Sequence, residues 1–336
     1  MRQLTLTHIL QLLLVHVIAI LVISCNPSEP DIELTISQCT PMPEGRAAAT
    51  CFVIGNNAYI IGGRDSIGTY CNDMWQYDSA TDSWKNLGST PLTSRVNATA
   101  CVYENKAYIG LGFNGTYNNS NSYLTDWWCY DPQQNIWKQL QDYPARTTDK
   151  AVSLVGEGEL YVGYGFNWTY ERDMYRYTIA DDKWEYIDVN LDRKAFTFPT
   201  RSFGGVGCTF HNKHFVGTGF RGHSLNWWGE MLPEGEWLKR KDVPGAKRTL
   251  AACSASNNYI YVIGGIHFGG VNTDGKVLSD IQQYDPQNDT WAYAGSLPNG
   301  GLFNHIAFSI GERIYVGLGE DDNYNMNNKL YCIHEK

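Results

Sequence analysis

The chain has 336 residues, a formal net charge of −9, 43% apolar residues, 18% charged residues and 13% aromatic residues, with nine cysteines. So much Trp and Tyr excludes a disordered chain, and so few cysteines over such a length exclude a disulfide-stapled miniprotein. The acidic balance excludes a dedicated nucleic-acid binder, which needs a basic surface to meet phosphates.

Residues 1–24 differ in composition from all that follows. Arg2 is the one charged group, and an apolar run from Ile9 to Ile23 is interrupted only by Gln11 and His16. It ends in Val22-Ile23-Ser24-Cys25. A basic start, an apolar stretch and a small residue before a cleavage point describe an export signal. The Cys directly after Ile-Ser resembles a bacterial lipobox, in which that Cys is acylated and becomes the new N-terminus. The alternative is a plain transmembrane anchor. We therefore expect a signal over residues 1–24, lipidation at Cys25, a Pro-rich tether over 25–32 and a folded domain over 33–336. No second apolar run of about 20 residues follows, so the remainder is expected to be soluble. The resemblance places the protein on the cell envelope, and the absence of Asp after Cys25 favours the outer membrane.

The body is repetitive. An apolar run ends in Gly-Gly or Gly-x-Gly; an aromatic strand, often containing Tyr-Asp, comes a dozen or more residues later; a Trp follows. The first copy is Tyr59-Ile60-Ile61-Gly62-Gly63, Tyr77-Asp78 and Trp84. The second is Tyr108 to Gly112, Tyr130-Asp131 and Trp137; the third is Tyr161 to Gly165, Tyr175-Arg176-Tyr177 and Trp184. The fourth, Phe215 to Gly219, has lost Tyr-Asp but keeps Trp228 and Trp237. The fifth is Tyr261 to Gly265, Tyr284-Asp285 and Trp291; the sixth is Tyr315 to Gly319 and Leu330-Tyr331. The step of roughly 51 residues, with a Gly pair, Tyr-Asp and a spaced Trp, resembles the kelch motif. The resemblance implies an all-β, six-bladed kelch β-propeller.

The physics agrees with that fold. Each copy supplies four short strands rich in β-branched and aromatic residues. A four-stranded blade has two apolar faces and buries both only between neighbours, so blades close into a ring. The sixth copy stops after its third strand. Leu34 to Cys39, followed by Thr40-Pro41, matches Trp84 to Ser89 followed by Thr90-Pro91. Residues 33–39 are thus expected to complete the last blade and remove its open edge.

Cys51, Cys101, Cys208 and Cys253 fall at one place in four copies and read as small packing residues of the inner strand, unsuited to pairing with each other. Cys39 and Cys332 both belong to the last blade, where a clasp would favour closure, but the expected strand register places them several residues apart. No C-x-x-C or Cys/His spacing points to a metal. Neither a metal nor a cofactor is expected.

In a propeller, the loops leading into each first strand and those joining second to third strands surround one mouth of the central channel. Arg46, Arg95, Arg146, Arg201 and Arg248 each precede a first strand. A ring of guanidiniums there would take carboxylates, phosphates or sulfates. Resemblance to other kelch domains points the same way, since several use Arg here to hold acidic groups. Pairing with Asp or Glu of a neighbouring blade is the structural alternative. The loops after the Gly pairs carry Arg64, Asn167, Arg221, His267 and Glu320. Phe113, Phe166 and Phe220 recur at one position there, which suits packing between blades. Asn114–Asp126 and Ile266–Asp280 are longer and would wall the mouth.

The sequence lacks G-x-S-x-G, H-E-x-x-H and a phosphate loop. The reading favoured is a monomeric binding propeller on the envelope, taking a glycan, an acidic small ligand or an envelope protein and no nucleic acid. The alternative is enzymatic: a sugar mutarotase resembling the N-acetylneuraminate epimerase family, with Glu320 or His267 as acid/base. The long mid-chain insertion associated with that family is missing. Galactose-oxidase-like copper chemistry fits worse, because that propeller has seven blades and an added domain.

Overall fold

A computed structural model describes residues 32–116, 119–145, 148–187 and 200–335. The expected signal, Cys25 and most of the tether lie outside them, as does Arg146. Among the described residues no helix is long and apolar enough to cross a membrane.

Among the described residues, six four-stranded antiparallel sheets and one two-stranded ribbon form. Blade 1 runs Thr50–Ile54, Asn57–Ile61, Asp73–Asp78 and Ser83–Ser89; blade 2 runs Thr99–Tyr103, Lys106–Gly110, Trp127–Asp131 and Ile136–Gln139. Blade 3 has the longest hairpin, Glu159–Phe166 against Tyr170–Thr178. Blade 4 starts at Val206–Phe210 and blade 5 at Ala252–Ala255. Blade 6 takes Ile306–Ile310, Arg313–Gly317 and Leu330–Glu335, and its outer strand is Leu34–Gln38 from the other end of the chain. The register is Leu34 opposite Glu335 and Gln38 opposite Tyr331. The expected closure by residues 33–39 is therefore what the structure has.

Each of the six interfaces between neighbouring blades holds one apolar cluster. Between blades 6 and 1, Tyr77, Phe308, Tyr315, Leu330 and Ile60 meet; between blades 4 and 5, Phe215, Trp228, Val262 and Tyr284 meet. Burying each such side chain stabilises the ring by roughly 1.5–3 kcal/mol. The Tyr and Trp of the repeat also carry polar clamps across three interfaces. The Trp84 indole donates to the Thr40 carbonyl at 2.8 Å, Trp184 to Gln141 at 2.9 Å and Trp291 to Lys241 at 2.8 Å. Beside them the Tyr77, Tyr177 and Tyr284 hydroxyls donate to Asp82, Asp182 and Asp289. Those carboxylates also accept a backbone N–H of the preceding blade.

The Gly pairs mark the closest backbone approach. Gly63 has φ of 86°, and a Cβ there would lie 2.8 Å from the Ala47 carbonyl oxygen. No residue with a side chain fits.

The cysteines differ from expectation in two respects. The eight described are all free thiols. Cys51 and Cys253 lie three residues after the turn that enters their blade, whereas Cys101 and Cys208 lie four after it. With a strand period of two they face opposite neighbours. Cys208 of blade 4 thereby meets Cys253 of blade 5, and this thiol contact, with burial, raises the Cys253 thiol well above its usual value. Cys39 and Cys332 also touch, thiol to thiol, across the closing strands.

Candidate functional site

The channel mouth is built by one residue per blade. Ala48, Asn97, Lys150, Gly204, Leu250 and Asn304 all have positive φ, from 50° to 62°. They are joined by backbone hydrogen bonds around the ring: Ala48 N–H to Asn304 O, Asn97 to Ala48, Lys150 to Asn97, Leu250 to Gly204 and Asn304 to Leu250. The sharp left-handed turn points each first strand down the channel. It also presents that residue's side chain at the opening. A cavity of about 130 Å3 lies here. It continues into a channel of about 230 Å3 walled by Ala49, Ala98, Ala151, Gly205, Ala251 and His305. His305 fills the place that Ala or Gly takes elsewhere, and burial pushes its imidazole down to about 3, so it is neutral.

The expected open ring of guanidiniums does not form where its members are described. Arg46, Arg95 and Arg248 are 0–2% exposed. Each turns into its own blade and grips the Asp that opens the third strand. Arg46 meets Asp73 at 2.7 and 3.1 Å, Arg95 meets Asp126 at 2.6 and 2.7 Å, and Arg248 meets Asp280 at 3.0 and 2.6 Å. A further N–H of each caps the carbonyl before the Gly turn, Gly62, Leu111 or Gly264. Burial is the largest single effect on Arg46 and opposes its charge, yet the hydrogen bond to Asp73 and the charges of Asp73 and Glu44 together outweigh it and raise the guanidinium. These donors are committed inside the blade, so the arginines are braces, paired within a blade and not across two. Arg201 sits one residue further from its ring turn and escapes this role. It is 44% exposed and lies 3.6 Å from Glu171.

A different polar chain crosses the mouth. The Lys150 ammonium of blade 3 donates to Asn304 Oδ1 of blade 6 at 2.9 Å. Asn304 Nδ2 donates to Glu320 Oε2 at 3.0 Å, and Arg64 of blade 1 donates to Glu320 Oε1 at 2.7 Å. Two of the expected residues, Arg64 and Glu320, are thus brought together; Lys150 and Asn304 were missed. The Lys150 ammonium also lies 5.5 Å above the Phe203 ring. Burial lowers its affinity for the proton, while Asp149 and Glu320 oppose that loss.

Next to Lys150, Asp149 is 0% exposed, and neither carboxylate oxygen has a well-formed hydrogen bond. Burial pushes its carboxyl up to about 6, against the pull of Lys150 and the Asn97 side chain. The remaining expected residues lie around the rim. Asn167 is 4% exposed with Nδ2 unpartnered. His267 is half-buried, its Nδ1 against the Lys247 carbonyl at 2.8 Å. Arg221 is half-buried beside His223. Phe113 is fully buried, as packing requires, while Phe166 and Phe220 are half-buried. Of the two longer loops, Ile266–His267 pairs with Lys276–Val277 as a small ribbon, and the blade 2 loop carries a 3-10 turn at Ser120–Ser122. On the opposite face a polar cleft of about 560 Å3 lies among Asn56, Asn257, Glu312, Arg313 and His334.

Comparison with known proteins agrees with this architecture. The KLHDC2/KLHL20/DRC7 Kelch-repeats domain matches residues 30–219, more than half of the chain, and the Kelch motif matches residues 247–298. The chain is 27% identical over 225 residues to N-acetylneuraminate epimerase 1 of Escherichia coli O6:H1, covering 65% of this chain and 52% of that protein. It is 26% identical over 240 residues to human Kelch-like protein 15, covering 65% of this chain and 37% of that one. The chain thus spans about half or less of these relatives. The solved structure titled "Structure of YjhT" superposes with a TM-score of 0.72 at 17% identity, over 87% of this chain and 95% of that one. Six kelch copies, six blades and these matches lead to one conclusion: the chain belongs to the kelch-repeat family, as a six-bladed β-propeller.

Proposed function

We propose that this protein is a membrane-anchored envelope lipoprotein, acylated at Cys25, whose propeller binds a small anionic ligand at the channel mouth. The observation that carries the binding reading is the chain Lys150–Asn304–Glu320–Arg64. Lys150 and Arg64 offer cations to a carboxylate, phosphate or sulfate, and Asn304 and Glu320 offer an amide and an acceptor to hydroxyls. No other set of side chains in the described mouth joins both charges across the opening. The test is calorimetry on the full chain in detergent with acidic sugars, including N-acetylneuraminate, neutral sugars and short acidic peptides. Acidic ligands bind, and Lys150→Met weakens them at least tenfold; equal binding by wild type and variant sinks the reading.

A second reading is a sugar mutarotase. It is favoured by the likeness to N-acetylneuraminate epimerase 1 and by Asp149, whose carboxyl at about 6 can hold and release a proton near neutral pH. Ring opening needs a base to take the anomeric hydroxyl proton and an acid to protonate the ring oxygen. Glu320, bonded to Asn304 of the mouth, and Asp149, next to Lys150 in the chain, are the carboxyls this reading would use. Magnetisation-transfer NMR on N-acetylneuraminate measures anomer exchange directly. Exchange no faster than in buffer removes this reading and leaves the binding one.

A further inference from the structure

The rim is asymmetric. Across blades 6 and 1 it carries Glu320, Arg64 and Asp65, with the ring pairs Phe303–Tyr324 and Tyr70–Phe113 beside them. Across blades 3, 4 and 5 it carries a continuous aromatic crescent of half-buried rings. Phe166 meets Tyr170 at 5.6 Å between centroids, Tyr170 meets Phe203 at 6.4 Å, Phe203 meets Phe220 at 6.1 Å and Phe220 meets Phe268 at 5.9 Å. Two further aromatics end the arc and are open to solvent. Trp168, 55% exposed, tips the blade 3 hairpin, and Tyr324, 58% exposed, rises from blade 6 beside Phe303 at 5.4 Å.

Both exposed rings sit on left-handed backbone, φ 65° at Trp168 and 61° at Tyr324. A tight turn at such positions takes Gly or Asn without strain, whereas a bulky side chain there costs free energy. Neither ring recovers that cost by burial. Asn167, directly before Trp168, has a buried amide nitrogen with no partner. Strain, exposure and an unused donor at one hairpin tip indicate a ligand surface rather than packing.

Blades 3 and 6 stand opposite each other in a six-membered ring. The two exposed rings stand on opposite blades, so one sugar ring does not reach both. We propose that the crescent from Trp168 to Tyr324 is a binding track for a glycan chain of several units, laid along the rim by stacking of sugar C–H faces on the rings. This goes beyond the mouth reading, because stacking needs no acidic group.

The probes are neutral hexasaccharides of glucose, mannose, galactose and N-acetylglucosamine, with the matching monosaccharides, titrated into the full chain in detergent. At least one hexasaccharide binds tenfold or more tightly than its monosaccharide. Trp168→Ala and Tyr324→Ala each weaken it at least fivefold. Both rings are exposed, so the variants keep the wild-type melting temperature. The track is overturned if no hexasaccharide outbinds its monosaccharide, or if Trp168→Ala leaves affinity unchanged. Lys150-dependent binding of acidic monosaccharides without hexasaccharide binding leaves the mouth reading standing and removes the track. Hexasaccharide binding alone does the reverse.

Discussion

Two sets of charges share one face of the propeller and do different things. The braces, Arg46 with Asp73, Arg95 with Asp126 and Arg248 with Asp280, repeat in three blades with one geometry and bury the guanidinium completely. The mouth chain, Lys150–Asn304–Glu320–Arg64, occurs once, joins three blades and keeps Arg64 36% exposed. What repeats in a repeat protein answers a need that every blade has: here, to pin the entry of the first strand to the start of the third. What occurs once answers a need of the whole. Charge type does not separate the two sets; the presence of a partner Asp at the start of the same blade's third strand does.

That contrast can be broken most directly at a brace. Arg248→Ala strands Asp280 and opens a void, and it is expected to cost about 3–5 kcal/mol, read by chemical denaturation, with binding at the mouth unchanged in the folded fraction. A cost below about 1 kcal/mol would return Arg248 to the ligand set.

The opposite sign is expected beside the mouth. Burial raises Asp149 from 3.8 to about 6. The folded protein therefore holds this proton more tightly than the unfolded chain, and stability from this group is present below pH 3.8 and lost as pH rises through about 6. Asn lacks that titration, so Asp149→Asn is expected to stabilise by roughly 2–3 kcal/mol at pH 7 and by nothing at pH 3.5. Denaturation at the two pH values checks it; an equal effect at both contradicts the buried charge.

Smaller again is the effect of Lys150→Met at the mouth. Affinity of the folded protein for acidic ligands is expected to fall at least tenfold, about 1.4 kcal/mol, read by calorimetry. Smallest is Trp84→Phe, which keeps a ring in the interface and removes only the hydrogen bond to Thr40. It is expected to cost about 1 kcal/mol, and a loss several times larger would mean that the indole carries packing the phenyl does not replace.

The ring was legible in the sequence because its determinants recur. Six Gly turns forbid a side chain for one steric reason, and Leu34 to Gln38 could be matched to an outer strand by comparison with Trp84 to Ser89. The site was less legible for the complementary reason. Lys150 and Asn304 occupy a turn position filled elsewhere by Ala48, Gly204 and Leu250, so they carry no motif. The braces misled because Arg46 and Asp73 are 27 residues apart, and only the strand order reveals that they meet. The cysteines show how little suffices: a difference of one residue in the strand turned Cys208 and Cys253 toward each other instead of alike.

The outer strand of blade 6 has a consequence for how the protein comes into being. Asn328 Nδ2 donates to the Met42 carbonyl across 286 residues of sequence. Leu34–Gln38 has no mate until Leu330–Glu335, on the far side of the six repeats, has been made. Until then the growing chain holds blades that can stack but not a finished circle, and its first strand is an exposed, unpaired edge of the kind that invites wrong partners. Closure is a long-range event with a slow search. A chaperone that keeps those few residues covered until the last turn is made would govern yield more strongly than any single contact inside a blade.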